Sequence, residues 1–200
     1  SPSSPAMVRG NLAEFGAYYK IKRGMAQKND EHFEKLIRHK FNKNHFFEPY
    51  KEISNAIEIA KKFEDKLYER QLRDIISYQK EKVESIQGIK YPVRLFTDFE
   101  YDNLIVDLKS TLRLPTKPKT DHLRQQALYS VLHDKPIALL YASPKKTFWY
   151  DLTKEDVKEG YTELLRDFKS LENYIDMCNN NIEDAIKITP LNTDPSPFYW

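Results

Sequence analysis

The sequence predicts an α/β protein in which a mixed central β-sheet is flanked by helices, with additional helices at the N-terminus. Two apolar, β-branched runs surround an Asp/Asn-rich turn at 101–103, as in a pair of antiparallel strands. A continuous apolar run at 137–142, followed by an aromatic run at 146–152, indicates a second pair of strands. Between the two pairs, apolar residues recur at helical spacing over 121–134. Strands that alternate with helices are typical of the α/β class.

Composition limits the classes of protein that need to be considered. Two hundred residues fit one domain with a real core, and 40% hydrophobic with 13% aromatic content argues against a disordered chain. A net charge of +2 does not by itself predict nucleic-acid binding, so such a surface must come from local clusters of Lys and Arg. The single Cys178 excludes an internal disulfide and a four-cysteine iron–sulfur or zinc site within these residues. The sequence contains no run of membrane-spanning length and no signal-peptide core, which predicts a cytoplasmic protein.

The N-terminal part is predicted to be mostly helical. Residues 1–5 are expected to be extended, because prolines among serines do not start a helix, and helical spacing begins at Asn11, a suitable N-cap. Further helices are predicted over 29–41 and 51–86. The alternating charges of the longer helix indicate a solvated face rather than a DNA-binding track. The five histidines lack metal-ligand spacing with one another and with Cys178, and are interpreted as ordinary surface or edge residues.

An acid and a base share one face of the second predicted strand. Because alternate residues of a strand point the same way, Asp107 and Lys109 lie on one face, and Val106 and Leu108 lie on the other. Three further copies of an acid two residues before a lysine lie in predicted helices: Glu64/Lys66, Asp156/Lys158 and Asp167/Lys169. Residues two apart in a helix point about 200° apart, so those copies cannot converge on one ion.

A second carboxylate is expected beside Asp107. On the preceding strand Asp98 shares the parity of Phe96 and Glu100, and the turn would bring Asp98 towards Asp107. The opposite row of that strand is predicted to contain Val93, Leu95, Thr97 and Phe99. Two neighbouring carboxylates on an apolar sheet need a cation or a proton. A hard divalent ion such as Mg²⁺ or Mn²⁺ suits these oxygen donors, and Lys109 would then stand beside it.

The helix over 121–134 is predicted to begin after Thr120 as its N-cap. It places Gln125 and Tyr129, four residues apart, on one face. Its buried side is expected to consist of apolar residues: Leu128, Val131 and Leu132.

The loop over 110–119 contains Arg113, Lys117 and Lys119 with two prolines and no acid. Such a stiff basic loop could hold the phosphates beside a scissile bond, or it could be a solvated connection. At the other end of the chain, a turn at 143–145 is expected between the last two strands, and a helix is expected from Thr153. A short helix and a proline-containing tail are predicted to follow.

The order Asp98, Asp107-Leu108-Lys109 and Gln125-x-x-x-Tyr129, in a strand, strand and helix context, resembles the PD-(D/E)XK nuclease superfamily. The resemblance is to its RecB-like branch, which includes phage exonucleases. It implies a restriction-endonuclease-like fold and one nuclease domain over 1–200. Within that domain, residues 1–90 would be mostly helical and would supply the first metal ligand. Residues 91–152 would form the catalytic sheet and the Gln-x-x-x-Tyr helix, and residues 153–200 would form the C-terminal helices and tail.

The resemblance also implies a set of metal ligands. Residues 5–14 resemble the family's first helix, which often follows an Arg-Gly pair and contributes an acidic or histidine ligand, so Glu14 is carried over as the third acid. The alternative is that Glu14 merely favours a helix N-terminus through the helix dipole. The implied ligands of Mg²⁺ or Mn²⁺ are Glu14, Asp98, Asp107 and the backbone carbonyl of Leu108.

The remaining roles follow from the same resemblance. Lys109 would orient or help to deprotonate the attacking water, while Gln125 and Tyr129 would hydrogen-bond the catalytic side chains or the adjacent phosphate. The expected contacts to nucleic acid are made by basic residues: Arg9, Arg113, Lys117 and Lys119.

The implied activity is that of a Mg²⁺- or Mn²⁺-dependent deoxyribonuclease, with exonuclease favoured over endonuclease. The nuclease would act in phage or bacterial recombination, repair or replication, with a recombination or replication protein as a partner. If it is phage-encoded, it would act in the host cytoplasm. One alternative is an inactive DNA-binding or scaffold protein that keeps the nuclease fold. Another is a helical interaction module in which Asp98 and Asp107 are surface charges.

Overall fold

The computed structural model describes residues 4–22, 30–43 and 50–178. Three helices come first: α1 (Pro5–Lys22), α2 (Asp30–Lys43) and α3 (Tyr50–Glu69). Three strands follow: β1 (Ser77–Glu84), β2 (Val93–Glu100) and β3 (Ile105–Ser110). The remaining elements are α4 (Thr120–His133), β4 (Ile137–Ala142), β5 (Thr147–Asp151) and α5 (Lys154–Met177). The predicted α/β class, with its N-terminal helices, is confirmed.

The sheet is mixed and has the order β1-β2-β3-β4-β5. β3 and β4 are parallel, whereas the other neighbouring strands are antiparallel. The parallel pair exists because α4 crosses from the end of β3 back to the start of β4, which a tight turn cannot do. All residues of β4 are buried, as expected for a strand with helices on both faces.

Two hydrophobic cores lie on opposite faces of the sheet. One contains α1 and α3 residues such as Phe63, together with Phe99 and Leu108 from the strands. The other contains Leu95 and Ile105, packed with residues of α4 and α5. β3 is therefore covered on both sides, whereas Arg94 and Phe96 in the first half of β2 are exposed. Polar groups buried on these strands need partners within the protein.

Helix α1 begins at Pro5, six residues before the predicted N-cap at Asn11. Ser4 provides the cap, because its Oγ accepts a hydrogen bond from the backbone N–H of Met7 at 3.3 Å. Proline suits the first turn, where its missing N–H leaves no donor unsatisfied. Glu14 consequently lies in the middle of the helix, beyond the reach of the N-terminal dipole. The alternative explanation for Glu14 is therefore wrong.

The predicted helix over 51–86 is also wrong in its second half. α3 ends at Glu69 in a Schellman motif, in which Gln71 has a left-handed φ of 60° and the N–H of Leu72 donates to the carbonyl of Leu67 at 2.8 Å. Glycine usually occupies the left-handed position, so its absence concealed the helix end. The charged residues that follow form the edge strand β1, where charge prevents further strand pairing.

The other predicted elements differ from the structure in detail. The N-cap of α4 is Lys119, without a side-chain cap, and not Thr120. Val131 is exposed, while Leu128 is buried as predicted. The predicted turn at 101–103 is confirmed by the hydrogen bond from Tyr101 N to Leu104 O at 2.8 Å.

The capping box of α5, between Thr153 and Asp156, and the turn at 143–145 are present. None of the described helices is long and apolar enough to cross a membrane. The short helix and tail predicted after 178 lie outside the described residues.

Candidate active site

The candidate site lies where β2 and β3 part. Their ladder consists of Phe99↔Val106 and Glu100↔Ile105, beside the turn. The next pair in this register would be Asp98 with Asp107. Instead, Oδ2 of Asp98 accepts a hydrogen bond from the backbone N–H of Leu108 at 2.7 Å. A carboxylate thus replaces the strand carbonyl that a regular ladder would present, and it remains next to Asp107.

The backbone of Leu108 faces this opening. Ile105 donates its N–H to Pro136 O, just before β4, at 3.0 Å, and Thr111 donates its N–H to Ala142 O, at the end of β4, at 2.9 Å. Alternate residues of a strand donate their N–H groups to opposite neighbouring strands. The backbone N–H of Leu108 therefore points towards β2, in agreement with its hydrogen bond to Asp98. The N–H and C=O of one strand residue point to the same side. The carbonyl that the resemblance assigns to the metal therefore faces the same opening as Asp98.

β2 changes faces near Asp98. Leu95 packs with α4 and α5, whereas Phe99 packs with α1 and α3. A regular strand would place both residues on one face, so the predicted single row of odd-numbered residues is wrong. β1 is irregular opposite Asp98. In the β1–β2 register, Gln79 lies between the two pairs that flank Asp98, and its φ is 48°.

Gln79 contacts the acid contributed by α1. Its Nε2 donates to Oε1 of Glu14 at 2.9 Å. A left-handed backbone at a residue other than glycine costs about 1–3 kcal/mol and persists only where surrounding structure imposes it. Sequence reasoning missed Gln79, since its helical interpretation of this segment concealed both the strand and its irregularity.

The three acids affect one another. Burial raises the pKa of Asp98 well above its usual range, and the negative charges of Glu14 and Asp107 raise it further. Lys109 and the N–H of Leu108 act in the opposite direction. Since the two other acids are the next largest causes after burial, Glu14, Asp98 and Asp107 belong to one electrostatic group.

Lys109 is paired with Asp107, its neighbour on the same face of β3. Its Nζ lies 3.1 Å from Oδ1 and 2.9 Å from Oδ2 of that carboxylate. Burial lowers the pKa of Lys109, but the charges of Asp107 and Asp98 outweigh it and leave the pKa above its usual value. In the metal-free protein these carboxylates therefore favour the ammonium form of Lys109, which donates hydrogen bonds.

Helix α4 supplies the other side of the site. Nζ of Lys109 lies 3.4 Å from Oε1 of Gln125, and Nε2 of Gln125 lies 3.3 Å from the hydroxyl of Tyr129. The same hydroxyl accepts a hydrogen bond from the backbone N–H of Phe96 at 3.3 Å. Gln125 and Tyr129 share a helix face as predicted, and they join Lys109 to β2.

Two residues of α4 near the site were not identified from the sequence. Nε2 of the fully buried Gln126 donates to Oδ1 of Asp107 at 2.8 Å. Nδ1 of His122 lies 2.7 Å from the hydroxyl of Tyr141, which is the β4 neighbour of Lys109. Burial and the charge of Lys109 lower the pKa of His122 to about 4.

The interpretation of all five histidines as ordinary surface or edge residues is thus wrong for His122. Its position three residues before Gln125, on neighbouring turns of the helix, was the available signal.

The predicted nucleic-acid contacts separate into two groups. Arg9 is 7% exposed, and its Nη1 lies 2.7 Å from Oε2 of Glu52. It is therefore neutralised inside the protein, and its prediction as a phosphate contact is wrong. Arg113, Lys117 and Lys119 are exposed on the loop between β3 and α4. The backbone N–H of Lys119 donates to Tyr141 at 3.3 Å, which places the end of this loop beside the site.

In the part of the chain that the structure describes, no three His, Cys, Asp or Glu side chains form a group that could hold a metal as they stand. The donor chemistry nevertheless fits a hard cation. Oδ2 of Asp107 is buried and receives no hydrogen bond of good geometry, although the Lys109 ammonium is close to it. Asp98 is repelled by two other carboxylates. Binding of Mg²⁺ or Mn²⁺ by all three acids requires their side chains to draw together.

Comparisons with known proteins identify no family. No protein-family model matches the chain, and no curated protein matches it significantly. Among solved structures, the chain is similar to the crystal structure of SSO0001, with 14% identity and a TM-score of 0.41 over 80% of this chain and 86% of that one. A structural likeness of this extent carries no argument about activity.

Proposed function

We propose that this chain is a PD-(D/E)XK nuclease of the RecB-like type: a Mg²⁺- or Mn²⁺-dependent deoxyribonuclease that degrades DNA from its ends. The observation that carries the proposal is the meeting of Asp98, Asp107, Lys109 and Gln125 at the opening between two strands. Buried charges in a sheet rarely improve stability over apolar side chains, so such a cluster indicates a functional site. The choice of exonuclease rests on the family resemblance alone.

In this proposal Glu14, Asp98, Asp107 and the carbonyl of Leu108 hold the divalent ion. The ion supplies a water of lowered pKa and offsets negative charge on the reacting phosphate. Lys109, as an ammonium, donates hydrogen bonds that orient the attacking water or a phosphate oxygen.

The residues around this centre position the reactants. Gln125 and Tyr129 restrain Lys109 through the hydrogen bonds that join them. The exposed residues Arg113, Lys117 and Lys119 bind phosphates beside the scissile bond without reading sequence.

A second candidate is an inactive DNA-binding or scaffold protein with the nuclease fold. The observation that favours it is the ion pair between Lys109 and Asp107, which offsets the charges of both groups without a divalent ion. Such a protein would bind DNA through the same basic loop but would show no dependence on a divalent ion.

Digestion of end-labelled linear DNA and of closed circular DNA, each with Mg²⁺, Mn²⁺ or EDTA, separates these functions. We expect the linear substrate to be degraded with either metal and to survive in EDTA, while the circles remain intact. Cleavage of the closed circles would contradict the exonuclease assignment. DNA binding without digestion of either substrate would favour the second candidate.

The variant Lys109→Met tests the role of the ammonium. We expect a loss of rate of about 10²-fold or more, the usual effect of removing a preorganised electrostatic donor, with DNA affinity reduced only slightly. Lys158→Met, an exposed lysine on α5, is the matched control and should digest DNA as the wild type does. A Lys109→Met protein that cuts at the wild-type rate contradicts the assignment.

A further inference from the structure

Gln126 is an unusual residue for the interior of this protein. It is fully buried on α4, and its Nε2 donates to Oδ1 of Asp107 on β3 at 2.8 Å. Its other polar atom, Oε1, is buried without a hydrogen-bond partner among the residues described. Burial of an amide whose oxygen makes no hydrogen bond opposes folding, and an apolar side chain of the same size would avoid that cost. The glutamine is therefore explained by what its donor does for the buried carboxylate of Asp107, and not by its own burial.

The contact does explain the orientation of Asp107. The carboxylate has two oxygens, and Gln126 binds Oδ1 from the α4 side. The amide is a neutral donor, so it holds the carboxylate without cancelling its charge. Oδ2 is approached by Lys109 and receives no hydrogen bond of good geometry. Oδ1 also accepts from the Lys109 ammonium at 3.1 Å, so it is held from two sides. Within the described part of the chain, Oδ2 has only that ammonium beside it, which a divalent ion would have to replace.

We propose that Gln126 is a positioning residue, which fixes the carboxylate of Asp107 so that Oδ2 is presented to the divalent ion. The inference rests on the proposed function, since it concerns the same metal site. It assigns to Gln126 a task different from that of its neighbour Gln125, whose amide contacts Lys109 and Tyr129. Residues that hydrogen-bond a metal ligand typically contribute 10–100-fold to metal affinity, about the effect expected here.

The test measures Mn²⁺ affinity of the DNA-free protein, by electron paramagnetic resonance of free Mn²⁺, and separately the unfolding temperature in EDTA. Gln126→Met keeps the length of the side chain but removes the donor. We expect its affinity for Mn²⁺ to fall about 10-fold or more, while the unfolding temperature of the metal-free protein decreases less than it does when a buried core side chain is truncated. Gln126→Asn keeps a polar side chain but is too short for the same contact, and it should weaken Mn²⁺ binding as well.

Leu128→Ala is the matched control for packing. Leu128 is buried on the same helix without contacting Asp107 through a hydrogen bond. This variant should lower the unfolding temperature and leave the affinity for Mn²⁺ within about two-fold, because a loss of core packing reduces stability without removing a ligand contact.

The outcomes distinguish this inference from the proposed function. If both Gln126 variants bind Mn²⁺ as the wild type does, while Asp107→Asn does not, Gln126 has no positioning role and the metal site stands. If the wild type binds no Mn²⁺, the proposed function fails, and the inference fails with it. The positioning role would also be overturned if Gln126→Met lowered the unfolding temperature as much as Leu128→Ala does, because its loss of Mn²⁺ affinity would then reflect general destabilisation.

Discussion

At the residue scale, the candidate site collects groups whose surroundings oppose folding. Asp98 is partly buried near two like charges, Gln79 has a left-handed backbone, and Gln126 keeps one polar atom unsatisfied. Each feature reduces stability, and the three lie around the same opening in the sheet. Proteins retain such features where function requires them, and substitutions that relieve them often stabilise the fold while they reduce activity.

Asp98→Asn is expected to stabilise the metal-free protein, and the effect should depend on pH. The folded pKa of Asp98 is raised, so the folded state binds this proton more tightly than the unfolded state does. Stability is therefore lost as pH rises from the unfolded pKa of about 4 through the raised folded pKa. The amide removes this loss while its oxygen can still accept from Leu108.

Urea unfolding in EDTA checks this expectation. At pH 8 the variant should be more stable by about 0.5–2 kcal/mol, and at pH 4 the gain should disappear. Asp102→Asn, in the exposed turn, should change stability little at either pH. If Asp98→Asn is less stable than the wild type at pH 8, burial and the neighbouring acids do not disfavour the charged form of Asp98.

At the scale of elements, the position of α4 controls half of the candidate site, and α5 holds α4 in place. The two helices approach closely at Gly160, where an added Cβ would lie 2.8 Å from the Cβ of Ala127 and 3.3 Å from the Cα of Arg124. Arg124 is also joined to α5 by its ion pair with Glu163 at 2.6 Å. The glycine thus permits close contact between the helix that carries Gln125, Gln126 and Tyr129 and the helix behind it.

Gly160→Ala should force these helices apart. Alanine favours the helical state by about 1 kcal/mol over glycine, but overpacking costs about 1–3 kcal/mol, so we expect net destabilisation. Displacement of α4 should also reduce nuclease activity. Chemical unfolding and DNA digestion measure the two effects.

Glu159→Ala changes an exposed neighbour on the same helix and serves as the control. It should alter stability by no more than about 0.5 kcal/mol. If Gly160→Ala is more stable than the wild type and equally active, the approach of the two helices is not critical.

At the scale of the whole molecule, α1 is fastened to α3 on both sides of Glu14. Arg9 pairs with Glu52 at 2.7 Å, and Lys20 pairs with Glu64 at 2.8 Å. The side chains of Lys20 and Glu64 are only 8% and 6% exposed. Since Glu14 reaches the sheet from α1, these ion pairs determine whether the third acid lies near Asp98.

Removal of one partner of the Lys20–Glu64 pair should be strongly destabilising. Lys20→Met leaves a buried carboxylate without its cation, which costs about 3–5 kcal/mol. The double variant Lys20→Met/Glu64→Leu removes both charges and should recover most of that loss, because apolar side chains replace a buried pair at little cost. A double-mutant cycle in urea measures the coupling. Additive effects of the two substitutions would mean that the pair does not link the helices energetically.

Most of what the sequence predicted correctly depends on local periodicity. The period of a strand places Asp107 and Lys109 on one face, and the period of a helix places Gln125 beside Tyr129. The turn chemistry at 101–103 predicts that β2 folds back on β3. These features involve residues close in the chain, so the sequence alone determined the α/β class, the fold-back of β2 on β3 and the centre of the candidate site.

Only the tertiary structure decided the features that depend on distant contacts. Gln79 and Glu14 are 65 residues apart, Arg9 and Glu52 are 43 apart, and Gln126 and Asp107 are 19 apart. No local pattern shows that an arginine is buried, that a charged segment forms an edge strand, or that a strand changes faces at Asp98. The physical reason is that packing against other elements determines burial and strand pairing, whereas local periodicity determines only which side chains share a face.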